Sequence, residues 1–168
     1  MTTPSDFVDG LLAQWNHERP DLDVSALGLV GRLLRTAQLA ESDLAAGLAP
    51  HGLQRGWLDV LAALRRAGEP YQLNPGQLLH ATMLSSGGMT KRLDRLAEAG
   101  LVERAPDPSD RRATLVRLTP SGKARIDRAI ETHIANEEQL LDTLTPTERR
   151  ALDTALRKLL AGLETKPS

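Results

Sequence analysis

The stretch NPGQLLHATMLSSGGMTKRLDRLAEAGLVERAPDPSDRRATLVRLT, Asn74 to Thr119, decides the fold. Asn74 is a good helix cap, and Pro75 suits a first helical turn, where its missing N–H is no loss. The pattern predicts a short helix from Pro75 to about Leu84 and a turn at Ser85, Ser86, Gly87 and Gly88. A second helix then runs from Met89 to about Ala99. Met89, Leu93 and Leu96 recur at spacings of four and three, so they share one face. Gly100 stands where a left-handed C-cap is cheapest. Leu101–Ala105 and Thr114–Leu118 read as strands, joined through the turn-forming run Pro106, Asp107, Pro108, Ser109 and Asp110. Helix, tight turn, helix and two-stranded hairpin, in that order, make a winged helix-turn-helix.

If Met89, Leu93 and Leu96 face inward, Thr90, Lys91 and Arg95 face outward, together with Ser85, Ser86 and Gly88 near the helix start. Small donors and long cations on such a helix suit a major groove, where base edges are distinguishable. Arg111 and Arg112, at the hairpin tip, can reach phosphates or a minor groove. A small α+β domain with solvated arginines would carry the same local features.

Working outward, Asp6–Arg19 reads as a helix with Phe7, Leu11 and Trp15 at spacings of four, and residues 1–5 as a disordered N-terminus. Ser25 to about Ala49 is a long helix whose stripe includes Leu27, Val30, Leu34, Leu44 and Leu48. Leu29 and Leu33 widen it, so the helix should meet two surfaces, either two core layers or a partner subunit. Gly31 inside it costs about 1 kcal/mol relative to alanine, which close packing would explain. Leu53–Ala67 buries Leu53, Trp57, Val60, Leu61 and Leu64. After the winged unit, Thr119-Pro120 opens a helix to about Leu141, and Thr145-Pro146-Thr147-Glu148 is a capping box before a last helix striped by Leu152, Leu156, Leu159 and Leu163. The expected organisation is N-terminal helices over 6–52, a winged DNA-binding region over 53–119, dimerisation helices over 120–163 and a tail over 164–168. The class is α+β, mostly α. More helix is present than a compact DNA module needs, and a two-fold dimer is the economical use for it, with a helical monomer as the other possibility.

Composition narrows the function. Aromatics are 2% of the chain, so leucine and alanine must fill the core. Cysteine is absent, which removes disulfides, thiolate nucleophiles and thiolate metal sites. The four histidines, His17, His51, His80 and His133, are scattered, so neither a metal site nor a cofactor is expected. No catalytic motif is present, so no enzyme is expected. Without a membrane-length apolar run or a signal-peptide pattern, a cytoplasmic protein is expected. The net charge is −1, but Ser85–Arg117 holds seven Lys/Arg and five Asp/Glu, a local +2 in a chain whose remainder is −3. That asymmetry suits a local DNA-binding face, not a generally basic protein.

The tracts SSGGMTKRLDRLAEAGLVER and DPSDRRATLVRLTPSG resemble the DNA-binding core of the multiple-antibiotic-resistance regulator (MarR) family. In the second tract, Asp110, Arg112, Leu118 and Thr119 fall where that family places them. The resemblance extends from about Trp15 to the last helix. It implies a homodimeric winged-helix repressor of duplex DNA, with terminal helices at the dimer interface and a small ligand that loosens the grip on DNA. WNHERPDLD, LDVLAALRRAG and the extra N-terminal helix are similar to the urate-responsive subgroup. By that resemblance Trp15, Asp59, Arg92 and Arg104 would serve the ligand. Two guanidinium groups can pair bidentately with a planar oxyanion while an indole supplies an apolar wall. Urate is the first candidate, followed by related purines and citrate-like acids. Lys91 stands where the subgroup usually has Asn, which bears on operator preference. Other roles stay open: a phosphate contact for Arg92, an ion pair with Glu103 or with the helical body for Arg104, and an ion pair with Arg55 for Asp59. A ligand-insensitive DNA-binding regulator or activator of the same fold is the alternative function.

Overall fold

A computed structural model describes residues 5–82, 84, 87–107 and 114–165. The helices are α1 (Phe7–Glu18), α2 (Ser25–Leu48), α3 (Arg55–Arg66), α4 (Pro75–Ala81), α5 (Met89–Glu98), α6 (Pro120–Leu140) and α7 (Pro146–Glu164). The strands are β1 (Gln72–Leu73), β2 (Val102–Pro106) and β3 (Thr114–Leu118). A 3-10 turn, Ala49–His51, follows α2. The chain forms two compact units, divided between Ala46 and Gly47 within α2.

In the first unit, Asp6 caps α1 through the backbone N–H groups of Val8 and Asp9, and Asp9 returns a bond to the Asp6 N–H. The Arg32 guanidinium on α2 ties to the same carboxylates, 2.7 Å from Asp6 Oδ2 and also bonded to Asp9. Val8 is buried between the two helices. The packing is tighter at Gly28 than at Gly31: a Cβ at Gly28 would meet Leu12 Cδ1 at 3.0 Å, whereas at Gly31 the nearest atom would lie at an ordinary 3.4 Å. The apolar stripe of α2 is widely open, with Leu29 75% and Leu34 65% exposed.

The second unit has its core on α3. Leu58, Val60, Leu61, Ala62, Ala63 and Leu64 are all buried, a wider arc than one helical face. Leu78 from α4, Met89, Leu93 and Leu96 from α5, Val116 from β3 and Ile126 from α6 complete it. A fully buried leucine of this kind contributes about 1.5–3 kcal/mol relative to solvent exposure. Trp57 packs against this core only in part. The sheet is antiparallel with order β1-β3-β2, so the wing has three strands where the sequence predicts two. The additional strand pairs Gln72 with Arg117 and Leu73 with Val116. Two residues are too few to show a strand period. Helix α4 is shorter than expected: Thr82 takes an extended backbone, and its hydroxyl donates to the Leu78 carbonyl at 2.8 Å.

The wing hands the chain to α6 through Thr119. Its N–H donates to the Leu101 carbonyl, its hydroxyl donates to the Gly100 carbonyl, and the same hydroxyl oxygen of Thr119 accepts the Gly122 N–H at 2.9 Å. Along α6, Ile126 is buried but Ile134 is exposed. Thr145 and Glu148 form the expected capping box of α7, which extends to Glu164. No residue of α7 is buried, and Leu152, Leu156, Leu159, Leu160 and Leu163 stand in solvent. Among the described residues no helix is long and apolar enough to cross a membrane, and no cluster of His, Asp or Glu could hold a metal ion.

Candidate nucleic-acid interface

Helix α5 presents two faces, as its periodicity predicts. Met89, Leu93 and Leu96 are buried, while Thr90, Lys91 and Arg95 are exposed. Gly88 caps its start with φ at +85°, a conformation that glycine adopts without steric cost. Ser85, Ser86, Arg111 and Arg112 lie outside the described residues.

Strand β2 is tied to α5 by an ion pair, with Arg104 Nη2 2.8 Å from Asp94 Oδ1. Arg104 therefore pairs within the winged unit, with neither Glu103 nor the helical body, and Glu103 pairs instead with Arg117 at 3.6 Å. The Arg117 guanidinium also donates twice to Gln72 Oε1, at 3.0 and 2.9 Å, so one side chain spans all three strands of the wing. Arg104 lines a pocket of about 330 Å³ with Pro75, Leu79, Met89, Thr90, Leu93 and Thr114.

Arg92 points from α5 toward the first turn of α3. It fits because residue 56 is glycine: a Cβ there would fall 2.6 Å from Arg92 Nε and 3.1 Å from its Cζ. Arg92 Nη1 is buried and has no hydrogen-bond partner. With Gln54, Gly56, Trp57, Gly88, Lys91 and Arg95, Arg92 lines a pocket of about 280 Å³.

Asp59 is largely covered. Its carboxylate is 3.8 Å from Arg55, too long for a good hydrogen bond. Burial pushes its pKa above the usual aspartate value. Arg55, His133, Arg92 and Arg66 pull the other way but do not win. Asp59 lines a third pocket, about 220 Å³, with Arg66, His80, Ala81 and Thr82. Asp59 and Arg92 thus share an electrostatic neighbourhood but open into different pockets, and Arg104 opens into another. Trp15 belongs to the first unit, on α1, and is 45% exposed. Sequence reasoning missed Gln54, Gly56 and Trp57 as neighbours of Arg92. It also missed His133, which is buried with Nδ1 unpartnered and Nε2 3.2 Å from Glu137. The His133/Glu137 spacing of four was the only available signal for that pair.

Residues 51–113 match the model of the MarR family. The chain is 38% identical over 157 residues to the transcriptional regulator PecS of Dickeya dadantii, covering 94% of this chain and 92% of that protein. It is 32% identical over 114 residues to the multiple antibiotic resistance protein MarR of Salmonella typhimurium, covering 67% of this chain and 77% of that one. Among solved structures, a cysteine-to-serine variant of Escherichia coli MarR complexed with operator DNA superposes with a TM-score of 0.70 at 28% identity, covering 93% of this chain and 99% of that one. The Bordetella bronchiseptica regulator BpsR, whose DNA binding is regulated by 6-hydroxynicotinic acid, gives 0.69 at 29% identity, covering 77% and 91%. With its winged helix-turn-helix and flanking helices, this chain belongs to the MarR family of DNA-binding transcriptional regulators, which are not enzymes.

Proposed function

We propose that the protein is a homodimeric, ligand-responsive repressor that binds a pseudo-palindromic duplex operator and is released by a small anion. The observation that carries the ligand part is Arg92. Its guanidinium lies against the Gly56 backbone with a buried donor unsatisfied, on the helix that also carries Lys91 and Arg95. A buried charged donor without an acceptor is costly, and an oxyanion would relieve that cost. Ser85, Ser86, Gly88, Thr90, Lys91 and Arg95 read the major groove, and Arg111 and Arg112 hold the flanking backbone or minor groove. The operator-bound relative supports the DNA assignment, and the relative governed by 6-hydroxynicotinic acid supports a planar anion. The open leucine faces of α2 and α7 support a dimer, since exposed apolar surface of this extent marks an interaction site.

In this reading Trp15, Asp59, Arg92 and Arg104 serve the ligand. Urate is the first candidate, then oxidised purines, then citrate-like acids. One observation favours the alternative, a ligand-insensitive regulator of the same fold: Asp59, Arg92 and Arg104 open into three separate pockets, and Arg104 is already paired with Asp94. The two readings separate in a fluorescence-anisotropy titration of a labelled operator, selected from a random duplex library, against each anion at fixed ionic strength. Release by at least one planar anion, and its loss in Arg92→Ala and Asp59→Asn, supports the responsive repressor. Unchanged DNA affinity with every anion supports the alternative.

A further inference from the structure

Among the described residues, Tyr71 is the one non-glycine with a positive φ, at +57°. A bulky side chain in the left-handed region is costly, and such a backbone persists only where its surroundings enforce it. Three elements do so here. The Tyr71 N–H donates at 2.6 Å to the carbonyl of Gly68, just past α3, and the Tyr71 carbonyl accepts the Leu118 N–H of β3 at 3.1 Å. Two cations lie over the ring: Arg65 Cζ, from α3, is 5.1 Å from its centroid, and Lys123 Nζ, from α6, is 5.6 Å from it. One carboxylate holds both cations, since Asp127 on α6 is 2.7 Å from Arg65 Nε and 3.0 Å from Lys123 Nζ. The Tyr71 hydroxyl takes little part, because it lies 3.5 Å from Glu69 Oε1, too far for a good hydrogen bond.

The hold on Tyr71 passes straight to the wing. The next residue, Gln72, begins β1 and pairs with Arg117, whose guanidinium donates twice to its side chain. Tyr71, Arg65, Lys123 and Asp127 line none of the three pockets beside the helix-turn-helix. We propose that Tyr71 is a positioning residue for DNA binding: its enforced backbone and the two cations on its ring fix the tilt of the three-stranded wing against α3 and α6, and so aim the wing at the DNA beyond each half-site. The inference rests on the wing holding flanking DNA, as in the proposed function.

The first arm of the test measures the tilt without DNA, on the full chain. Cysteine is absent, so Thr114→Cys on β3 and Glu131→Cys on α6 give one pair of spin labels per chain, diluted with unlabelled chain to suppress distances between copies. The parent should give a single narrow distance distribution. Its width should grow at least about twofold in Tyr71→Gly, because glycine adopts this φ and many others without steric cost. Asp127→Ala frees both cations and leaves Tyr71 in place; it should broaden the distribution too, and it decides the matter if Tyr71→Gly does not fold. Tyr71→Phe keeps the ring and should match the parent. Parent-like widths in both Tyr71→Gly and Asp127→Ala overturn the proposal, as does a Tyr71→Phe width equal to that of Tyr71→Gly.

The second arm measures affinity and salt slope on two duplexes, an operator trimmed to its half-sites and the same operator with DNA beyond them. In the parent the longer duplex should give the steeper slope, by about 1 for each wing contact. In Tyr71→Gly that difference should be lost, while affinity for the trimmed duplex stays at the parent's value. A purely structural role would weaken binding to both duplexes by the same factor and leave the slope difference intact, and that result overturns the proposal. Equal slopes in the parent reject the wing's contact with flanking DNA, and the label distances then decide alone whether Tyr71 holds the wing.

Discussion

Arg104 on β2 and Asp94 on α5 form an ion pair of 2.8 Å, a direct side-chain tie between the wing and α5. Both partners are more than a third exposed, so the pair contributes at most about 0.2–1 kcal/mol to stability. A pair in this position can orient β2 against α5. Asp94→Asn and Arg104→Gln, singly and combined, should therefore lower urea stability by less than about 1 kcal/mol, with a coupling energy in the same range. DNA affinity should fall more than stability does. A coupling energy near zero in both measurements would show that the pair does not link wing to helix.

Gly122 is expected to be intolerant of any side chain. A Cβ there would stand 1.8 Å from the Leu101 carbonyl oxygen and 2.8 Å from its carbon, and both belong to backbone. The same carbonyl accepts the Thr119 N–H, so it cannot retreat without breaking the junction of wing and α6. Gly122→Ala should destabilise by about 1–3 kcal/mol or more, despite the better helix propensity of alanine. Chemical denaturation checks this, and an equal or higher stability would mean that the start of α6 can move away from Leu101.

Asp59 carries a pH signature. Burial raises its pKa in the folded chain above the unfolded value, so the folded state binds the proton more tightly. Its favourable contribution is complete below the ordinary carboxylate range and is lost as pH rises through the raised pKa. At neutral pH the charged Asp59 is then a net cost. Asp59→Asn should raise the denaturation midpoint at neutral pH and shrink the pH dependence just above the carboxylate range. Lower stability of the asparagine variant at neutral pH would mean that Arg55, Arg66 and Arg92 outweigh the burial.

The helix-turn-helix was legible because its signals are local. The Asn74 cap, the glycine turn and the spacing of Met89, Leu93 and Leu96 all act within a few residues, and the structure buries those three side chains as the spacing requires. The third wing strand was not legible, since Gln72 and Leu73 acquire strand geometry only by pairing with Arg117 and Val116. Leu84 prolonged the apolar pattern of α4, but the Thr82 hydroxyl competes for the Leu78 carbonyl and the backbone turns extended. At the site, the outward direction of Thr90, Lys91 and Arg95 followed from helical geometry. The seating of Arg92 on Gly56 did not, because it joins residues far apart in sequence through a missing Cβ.

The exposed leucines of α7 predict assembly. Leu152, Leu156, Leu159, Leu160 and Leu163 cover one helix that has no buried residue of its own, and α2 leaves Leu29, Val30 and Leu34 open. Sedimentation at micromolar concentration should give about twice the 18.3 kDa chain mass. Leu156→Glu combined with Leu159→Glu should lower that mass and weaken operator binding together. A monomeric parent protein would rule out the dimer.

In the proposed function a planar anion and operator DNA are coupled through this protein. The most direct measurement is the affinity of the anion for the free protein and for the operator-bound protein, taken with the operator affinity in the absence and presence of saturating anion. Linkage requires the two ratios to be equal, and couplings of this kind are typically about 5–150-fold. Such a factor, the same in both directions, is expected for urate or another planar anion. Identical anion affinity with and without operator, for every anion that binds, would contradict it.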